Sequence, residues 1–571
     1  VPTPRSLTTA AHEDFDLHVT SGVWPTDLQG EVLFSSPQIT GRTDYGIFDF
    51  GAMHRLSLRP GTRGAPPDAL AWQARSIQSP AKRLFDAVPE LFTGGPIGYS
   101  SPFGSPNCAN TAPLPWGDRL YATWDAGRPV ELHPDTLDFV AEVGHIDTWG
   151  GPSMGSDTVL PMLLSTAHPV VDPERDCLWT AKLEPVTEPT FGMRPSVVRY
   201  DGDGTTVRHW PLDGVSFAGS IHTVSQTREW VIFSDSGNFK ADPAEIFGGD
   251  RTLTIDEAVP VWLIRKDVLE ATPSGTPVTP IALTMAPPSG HYYARYDDAD
   301  GISVVWEGMD LMDLALYMKP DDVDVNGQPV DPAVVGLYNM AMAPETLTEV
   351  LFDPETGQVK EQGVFKEDWA FNLQLSGMDW TLEGLSHPTL HHVAYQGCRS
   401  GRISERAATL YADRIDRGAV AEDTAGALAT FRRGSIELVS RWEYPDVGDL
   451  ISSPTFVPRQ STPAGAEGRY ASADPGGHDG YVVQPVFNDD GFRVDLFDAA
   501  DVGAGPLATA RPAAGRCVPM LLHSAWMPTY SELADAERLH FSDELTDARL
   551  ATVPEPHRGL VRQVAGGLDT T

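Results

Sequence analysis

Four histidines share one local context. His168 lies in LLSTAHPVVDPERDCLW, His222 in GSIHTVSQTREWVIF, His291 in SGHYYARYDDADGISVVW and His523 in VPMLLHSAWMP. Each opens an apolar or aromatic run, and in the first three a polar turn and a second run follow. Imidazole is a neutral nitrogen donor that serves iron, copper, zinc and nickel alike. Four of them on one ion leave its full charge in place, and two positions of an octahedron stay open. Separations of 54, 69 and 232 residues exclude a local zinc-finger arrangement, so the four must come from different structural units. Other pairings fail on geometry. His391 and His392 in HPTLHH point to opposite faces of a strand, and Pro388 opposes the helix that would align His387 with His391. GDGTT and DDADG lack the twelve-residue spacing and terminal Glu of a calcium loop and are turns. There is no dinucleotide fingerprint in a strand–helix context, no Walker loop and no GxSxG elbow.

The elements that carry these histidines are β-strands. Short β-rich runs alternate with Asp/Gly turns, as in DRLYATW (118–124), HPVVDPERDCLWTAKL (168–183), HTVSQTREWVIFSDSG (222–237) and TEVLFDPETGQVKEQGVF (348–365). The unit recurs at intervals of about 55–70 residues, the signature of radial repetition in a β-propeller. The first strand of a blade lines the axis, so the same end of several first strands brings side chains together there. The 53 Gly and 49 Pro fit a turn-rich, all-β chain. Helical patterns cover AKRLFDAVPELF (81–92), GMDLMDLALYM (308–318) and SERAATLYADRI (404–415). Residues 1–571 are expected to form one domain, with cap insertions at about 81–103, 308–347 and 404–430.

From about Leu28 to Pro528 the chain resembles the carotenoid cleavage oxygenases. LQGEVLFSSPQ, FDFGAMHRLSL (48–58), ANTAPLPWGDRLYATWDAGRP (109–129), AHPVVDP (167–173), SSPTFVPR (452–459), DDGFRVDLFDA (489–499) and LLHSAW (521–526) are similar to that family's blocks. The resemblance implies a seven-bladed β-propeller with a small helical cap over the top face, and Fe(II) held by His168, His222, His291 and His523. It implies a dioxygenase that consumes O2 and cleaves a conjugated C=C bond of a carotenoid or apocarotenoid into two carbonyls. A stilbene- or phenylpropene-cleaving dioxygenase and a non-catalytic propeller that binds a hydrophobic ligand are the alternatives. Family members place Glu residues behind the ligating imidazoles, and such partners fix tautomer and ring orientation. Glu383 in LEGLSHPTL stands at one such position. Asp125 and Ser453 stand where the family carries Glu; Asp is one methylene shorter and Ser brings no charge. Stilbene-cleaving relatives carry a Lys beside the first of these positions, where this chain has Trp124, which favours the carotenoid class. Trp124, Phe85 and Phe92 are assigned to the wall of the substrate tunnel.

Charge and composition narrow the partners. A net charge of −38 excludes nucleic acid, which calls for basic clusters. The substrate is a hydrophobic polyene or aryl-alkene, and Met-rich stretches at 308–318 and 337–347 suit an apolar wall. Four widely spaced cysteines (Cys108, Cys177, Cys398, Cys517), no run of about 18 apolar residues and an N-terminus without signal-peptide features point to a cytoplasmic protein. Peripheral membrane contact is expected through 81–103, where Leu84, Phe85, Leu91 and Phe92 lie beside Lys82 and Arg83. The oligomeric state is not encoded in any of these patterns.

Overall fold

The computed structural model describes residues 12–568 apart from 96–97, 187–191, 238, 241, 247–248, 377–388, 460–478, 515, 517, 528–531 and 534–535. Seven antiparallel blades surround one axis. Five of them, blades 2 to 6, are separate four-stranded sheets; blades 1 and 7 are merged into one ten-stranded sheet. From the axis outward, blade 3 runs Val170–Asp172, Cys177–Val186, Gly192–Tyr200, Val207–Pro211, and blade 5 runs His291–Ala294, Ile302–Gly308, Thr346–Phe352, Val359–Phe365.

Burial explains why some runs read as continuous apolar stretches and others as alternation. Blades pack face to face near the axis, so both faces of the inner strands are covered: every residue of His291–Ala294 and Ile302–Gly308 is buried. Outer strands see solvent, and Ile281–Met285 of blade 4 alternates half-buried with exposed, the period of two expected of a half-covered strand. Turn chemistry is local. In DPETG the Asp353 carboxylate accepts the N–H groups of Glu355 (3.1 Å) and Thr356 (2.9 Å), and Gly357 takes φ 70°, a conformation that costs glycine little.

The ring closes by pairing its two ends. Ser524–Met527 is the inner strand of blade 1 and lies antiparallel to Glu31–Pro37, with Val32 opposite Trp526. The strand His12–Gly22 bridges Ala508–Pro512 of blade 7 and Ala69–Ser76 of blade 1. Around the axis, hydroxyls tie successive blades: Ser35 Oγ donates to Thr111 O, Thr123 Oγ1 to Ala167 O, and Thr223 Oγ1 to Gly290 O (2.5 Å). Each satisfies a backbone carbonyl that would otherwise be buried without a partner.

The helices depart from the sequence-based expectation. Pro80–Ala87 forms with Ser79 as N-cap and proline at its start, a favourable opening. Glu405–Leu410 forms with Ser404 as N-cap. The stretch 308–318 is not a helix. Asp313 Oδ1 accepts Ala315 N–H (3.0 Å) and breaks the run into a turn, and the chain then pairs with 336–342: Met318 N–H donates to Leu337 O, Gly336 N–H to Met318 O and Met342 N–H to Leu311 O. Met309, Leu311, Met312, Leu316 and Met318 are all buried, so an irregular ladder wrapped in core produced the apolar spacing. Three helices the sequence analysis did not anticipate close the chain: Phe541–Glu544, Asp547–Thr552 and Glu555–Leu568. The last shares a core with Pro80–Ala87, through Val561, Val564 and Leu568 against Leu84 and Phe85. No helix among the described residues is long and apolar enough to cross a membrane.

Candidate metal centre

The four histidines sit at the entrances of inner strands: His168 before blade 3, His222 before blade 4, His291 at the first position of blade 5 and His523 before the closing strand of blade 1. Neighbouring backbones lock them. His168 N–H donates to His222 O (3.1 Å) and Val224 N–H to His168 O (2.9 Å), a parallel bridge between blades 3 and 4. Thr166 Oγ1 donates to His222 O (2.6 Å), and His291 N–H to Ser289 Oγ (2.9 Å). Ser35 N–H donates to His523 O (3.0 Å) and Leu522 N–H returns to Ser35 O (2.9 Å).

The side chains converge. One nitrogen from each ring lies within 4.8 Å of the others, a set able to hold one metal ion. Ring centroids are 4.1 Å apart for His168–His523, 4.8 Å for His168–His222 and 5.0 Å for His222–His291. Two nitrogens on opposite sides of one ion would be about 4.2 Å apart at ordinary metal–nitrogen distances, so the 4.8 Å span closes on a single ion with a contraction of about half an ångström. Burial holds the imidazoles of His168, His291 and His523 well below their ordinary pKa, and the neighbouring rings push the same way. Neutral imidazole is the form that ligates a metal. His291 Nε2 is buried and has no hydrogen-bond partner among the described residues, a donor set that fits an ion and leaves a costly gap without one.

The residues behind the ligands were read unevenly from sequence. Asp125 reaches His222 directly, with both carboxylate oxygens at 2.9 and 3.0 Å from Nδ1. A carboxylate can only accept, so Nδ1 carries the proton and Nε2 is left for the metal. The short side chain reaches without a water because the loop is drawn in: Ser165 N–H donates to Asp125 O (2.6 Å) and Ala167 N–H to Asp125 Oδ1 (3.1 Å). Ser453 is buried before the inner strand of blade 7, but bonds in that corner are made by its neighbours, Ser452 Oγ to Leu521 O (2.9 Å) and Thr455 Oγ1 to Ser524 Oγ (2.7 Å). Glu383 lies outside the described residues.

Glu307 was missed. It stands opposite His291 in the blade 5 register, fully buried, with one oxygen 3.9 Å from His291 Nδ1 and the other 3.4 Å from His391 Nε2. Its signal was present as a lone carboxylate inside the apolar run ISVVWEG. His391 and His392 do point apart: His392 Nδ1 pairs with Thr430 Oγ1 (2.9 Å) and its ring stacks on Phe456.

The apolar segment 81–103 does not present a docking surface through its phenylalanines. Phe85 and Phe92 are 6% and 4% exposed, and with Phe50, Tyr99 and Phe103 they form a cluster of tilted and edge-to-face rings whose centroids lie 4.9–5.8 Å apart along Phe50–Phe85, Phe85–Phe92 and Phe92–Phe103. Lys82 is buried and paired with Asp86. The 80–87 helix, capped by Ser79, is amphipathic because it faces this core, which the C-terminal helices complete. Trp124 belongs to the same cluster, one residue from the carboxylate that grips His222.

A propeller with four imidazoles meeting on its axis defines a class of metalloprotein with one central ion site. The family model described as Retinal pigment epithelial membrane protein matches residues 5–528, and the chain belongs to this family, the carotenoid cleavage oxygenases. Carotenoid cleavage dioxygenase 7, chloroplastic, of Oryza sativa subsp. japonica is 31% identical over 153 residues, a match spanning 24% of this chain and 24% of that protein's length. Among solved structures, a variant of the Synechocystis apocarotenoid oxygenase aligns with TM-score 0.59 and 16% identity, covering 92% of this chain and 98% of that one. A cobalt-substituted form of the same oxygenase aligns with TM-score 0.58, 16% identity and the same coverage. At that identity the likeness establishes the shared propeller fold.

Proposed function

We propose that the protein is an Fe(II)-dependent dioxygenase that splits a conjugated C=C bond of a carotenoid or apocarotenoid. The observation that carries this is the set of four imidazoles on the propeller axis, three of them deeply buried and held neutral, with one nitrogen of each within 4.8 Å of the others. Family membership and the printed names of the rice and Synechocystis relatives support the substrate class. The reaction balances without an external reductant or acid: R–CH=CH–R′ and O2 give R–CHO and R′–CHO, each product taking one oxygen atom. Iron(II), when held by the four histidines, supplies the dioxygen chemistry.

The chain's own residues supply geometry and dryness. Asp125 holds the Nδ1 proton of His222 and keeps Nε2 directed to the axis. The hydroxyl belt of Ser35, Thr123 and Thr223 fixes the inner strands so that the four rings stay in register. Trp124 and the aromatic cluster beside the Asp125 loop exclude water from that flank. The lysines oppose the phenolic-stilbene alternative. All seven are committed elsewhere: Lys82 to Asp86, Lys182 to Glu184, Lys240 to Asp256, Lys266 to Asp172, Lys319 to Glu245, Lys360 to Asp300 O and Lys366 to Asp310. The separate, buried Cys108, Cys177 and Cys398 support a reducing, cytoplasmic setting.

The test is anaerobic loading of metal-depleted protein with Fe(II), followed by 18O2 and a panel of carotenoids, apocarotenoids and stilbenes. The expected result is one iron per chain and a pair of aldehydes or ketones, each carrying one 18O. Iron at one equivalent with no cleavage of any polyene would favour a binding protein. Absence of iron uptake would remove the oxygenase assignment altogether.

A further inference from the structure

The family match ends at residue 528, yet the chain continues into the helices Phe541–Glu544, Asp547–Thr552 and Glu555–Leu568. Most of their contact is apolar and covers the Pro80–Ala87 helix. Two polar side chains also reach outward: Arg549 Nε donates to Ser156 O (3.4 Å), and Glu544 makes a charged pair. Glu544 is 7% exposed, and its two oxygens accept from Arg128 Nη1 and Nη2 at 2.8 Å each. One of them also accepts the Ile146 N–H at 2.6 Å. A two-pronged carboxylate–guanidinium pair fixes orientation as well as distance.

Arg128 belongs to the loop WDAGR, three residues after Asp125. Its remaining bonds run to Glu142 and to Gly144 O. The loop is therefore gripped from two sides. On the axis side Ser165 takes it, through Ser165 N–H to Asp125 O (2.6 Å), Ser165 Oγ to Gly127 O (2.5 Å) and Ser165 Oγ to Trp124 O (3.0 Å). On the outer side Asn107 Nδ2 donates to Arg128 O (2.9 Å) and Glu544 holds the guanidinium. The packing between them is close: a Cβ at Gly127 would stand 2.0 Å from Asn107 Oδ1. Asp125 has one methylene less than Glu with which to follow a displaced backbone. At 2.9 and 3.0 Å from His222 Nδ1, a shift of roughly 0.6 Å takes it to the limit of a hydrogen bond.

We propose that Glu544 is a positioning residue for the metal centre: through Arg128 it sets the 124–128 loop, and so Asp125 against His222. The C-terminal extension thereby tunes how firmly the four-histidine site holds its ion. The inference rests on the assignment of His168, His222, His291 and His523 as metal ligands.

The test is Co(II) titration of the metal-depleted full chain, followed by its visible absorption, on wild type, Glu544→Gln, Asp125→Asn and the double variant, with thermal unfolding of each apo form. Gln keeps one oxygen for Ile146 N–H and Arg128 Nη1, and its NH2 group replaces the oxygen that accepts from Arg128 Nη2, so the charge and one prong of the fork are lost together. The expected result is about threefold to tenfold weaker Co(II) binding in Glu544→Gln with altered bands, the size typical of coupling through an intervening network. In the Asp125→Asn background the same change should have no further effect. Arg128→Lys, which keeps the charge and loses the fork, should reproduce the weakening and carries the test if Glu544→Gln does not fold. Unchanged Co(II) affinity with lowered thermal stability would overturn the proposal and leave Glu544 as an anchor of the C-terminal helices. Equal losses in both backgrounds would overturn it as well. Wild type that binds no Co(II) would remove the metal assignment and this inference with it, an outcome distinct from binding that ignores Glu544.

Discussion

At the scale of single residues, the centre is governed by which groups are forced to stay neutral and which carboxylates are free to accept. Asp125 is the one carboxylate at hydrogen-bond distance from a ligand imidazole among the described residues. Asp125→Asn should weaken iron or cobalt retention about 10–100-fold, as loss of such partners typically does, which a competition titration with a chelator reads. Glu307→Gln tests the neighbouring relation. At 3.9 Å from His291 Nδ1 the carboxylate acts by charge more than by a bond, so its loss should weaken metal binding less than Asp125→Asn does. A larger loss would show that the site tightens onto Glu307 when the ion enters. Beside the His222 loop, where Ser236 Oγ accepts the His222 N–H (3.1 Å), Asp235 carries a pH prediction. Burial pushes its carboxyl up to about 6 from an ordinary 3.8, while Gly237 N–H on Oδ1 at 3.0 Å pulls the other way. Between those values the folded chain keeps a proton that the unfolded chain releases. The group therefore destabilises the fold progressively as pH rises from 3.8 to 6, with nothing lost below and the full penalty above, of order 2–3 kcal/mol. Asp235→Asn retains the oxygen for Gly237 and should raise the melting temperature at pH 8 while leaving it unchanged at pH 4.

At the scale of elements, the aromatic cluster beside the Pro80–Ala87 helix decides between packing and membrane contact. Phe85 lies against Phe50, Phe92 and Tyr99 at 4.9–5.4 Å. Phe85→Ser should destabilise the chain by about 3–5 kcal/mol, the range for removing a buried aromatic ring, and leave liposome co-sedimentation unchanged. Preserved melting with reduced co-sedimentation would restore the interfacial role expected from sequence. The same segment shows where sequence was informative. The inner strands were legible because burial on both faces writes a short apolar run, and the histidines were legible because they stand at the same place in four such runs. What was not legible depends on contacts between distant parts of the chain. The spacing of Met309, Leu311, Met312 and Leu316 imitates a helix, and the pairing of Met318 with Gly336 and Leu337 that replaces it has no local marker. The amphipathic character of 80–87 does not say whether lipid or the Glu555–Leu568 helix covers it. Glu307 meets His291 only through the register of two strands, and Asp125 reaches His222 across 97 residues.

At the scale of the whole molecule, the metal would be a fastener as much as a reagent. Its ligands belong to blades 1, 3, 4 and 5, and His523 comes immediately before Ser524–Met527, the late strand that pairs with the early strand Glu31–Pro37 and completes blade 1. Opening the ring at that strand separates His523 from the other three, so a bound ion opposes the opening directly. Ligand linkage gives the size: metal at one hundred times its dissociation constant stabilises the folded chain by about 2.7 kcal/mol. The neutral imidazoles sharpen the effect, since desolvation and mutual repulsion already disfavour proton as a rival for the same nitrogens. A chain with net charge −38 also repels itself when compact, and a divalent cation on the axis reduces that repulsion where the blades are closest. Loading with Fe(II) under nitrogen should therefore raise the melting temperature by several degrees, and a chelator should reverse it. Hydrogen exchange should locate the gain. Amides of Ser524–Met527 and Glu31–Pro37 should slow most on loading, whereas the outer strand Val359–Phe365, largely exposed, should not change. His523→Ala should lose the protection of the closing strand, while His222→Ala, whose ligand joins blades already bridged by the His168–Thr223 pairing, should lose affinity with the closing strand still the most protected by the remaining metal. Uniform protection across all seven blades, or none at the closing strand, would mean that the ion is held by the propeller without holding the ring together.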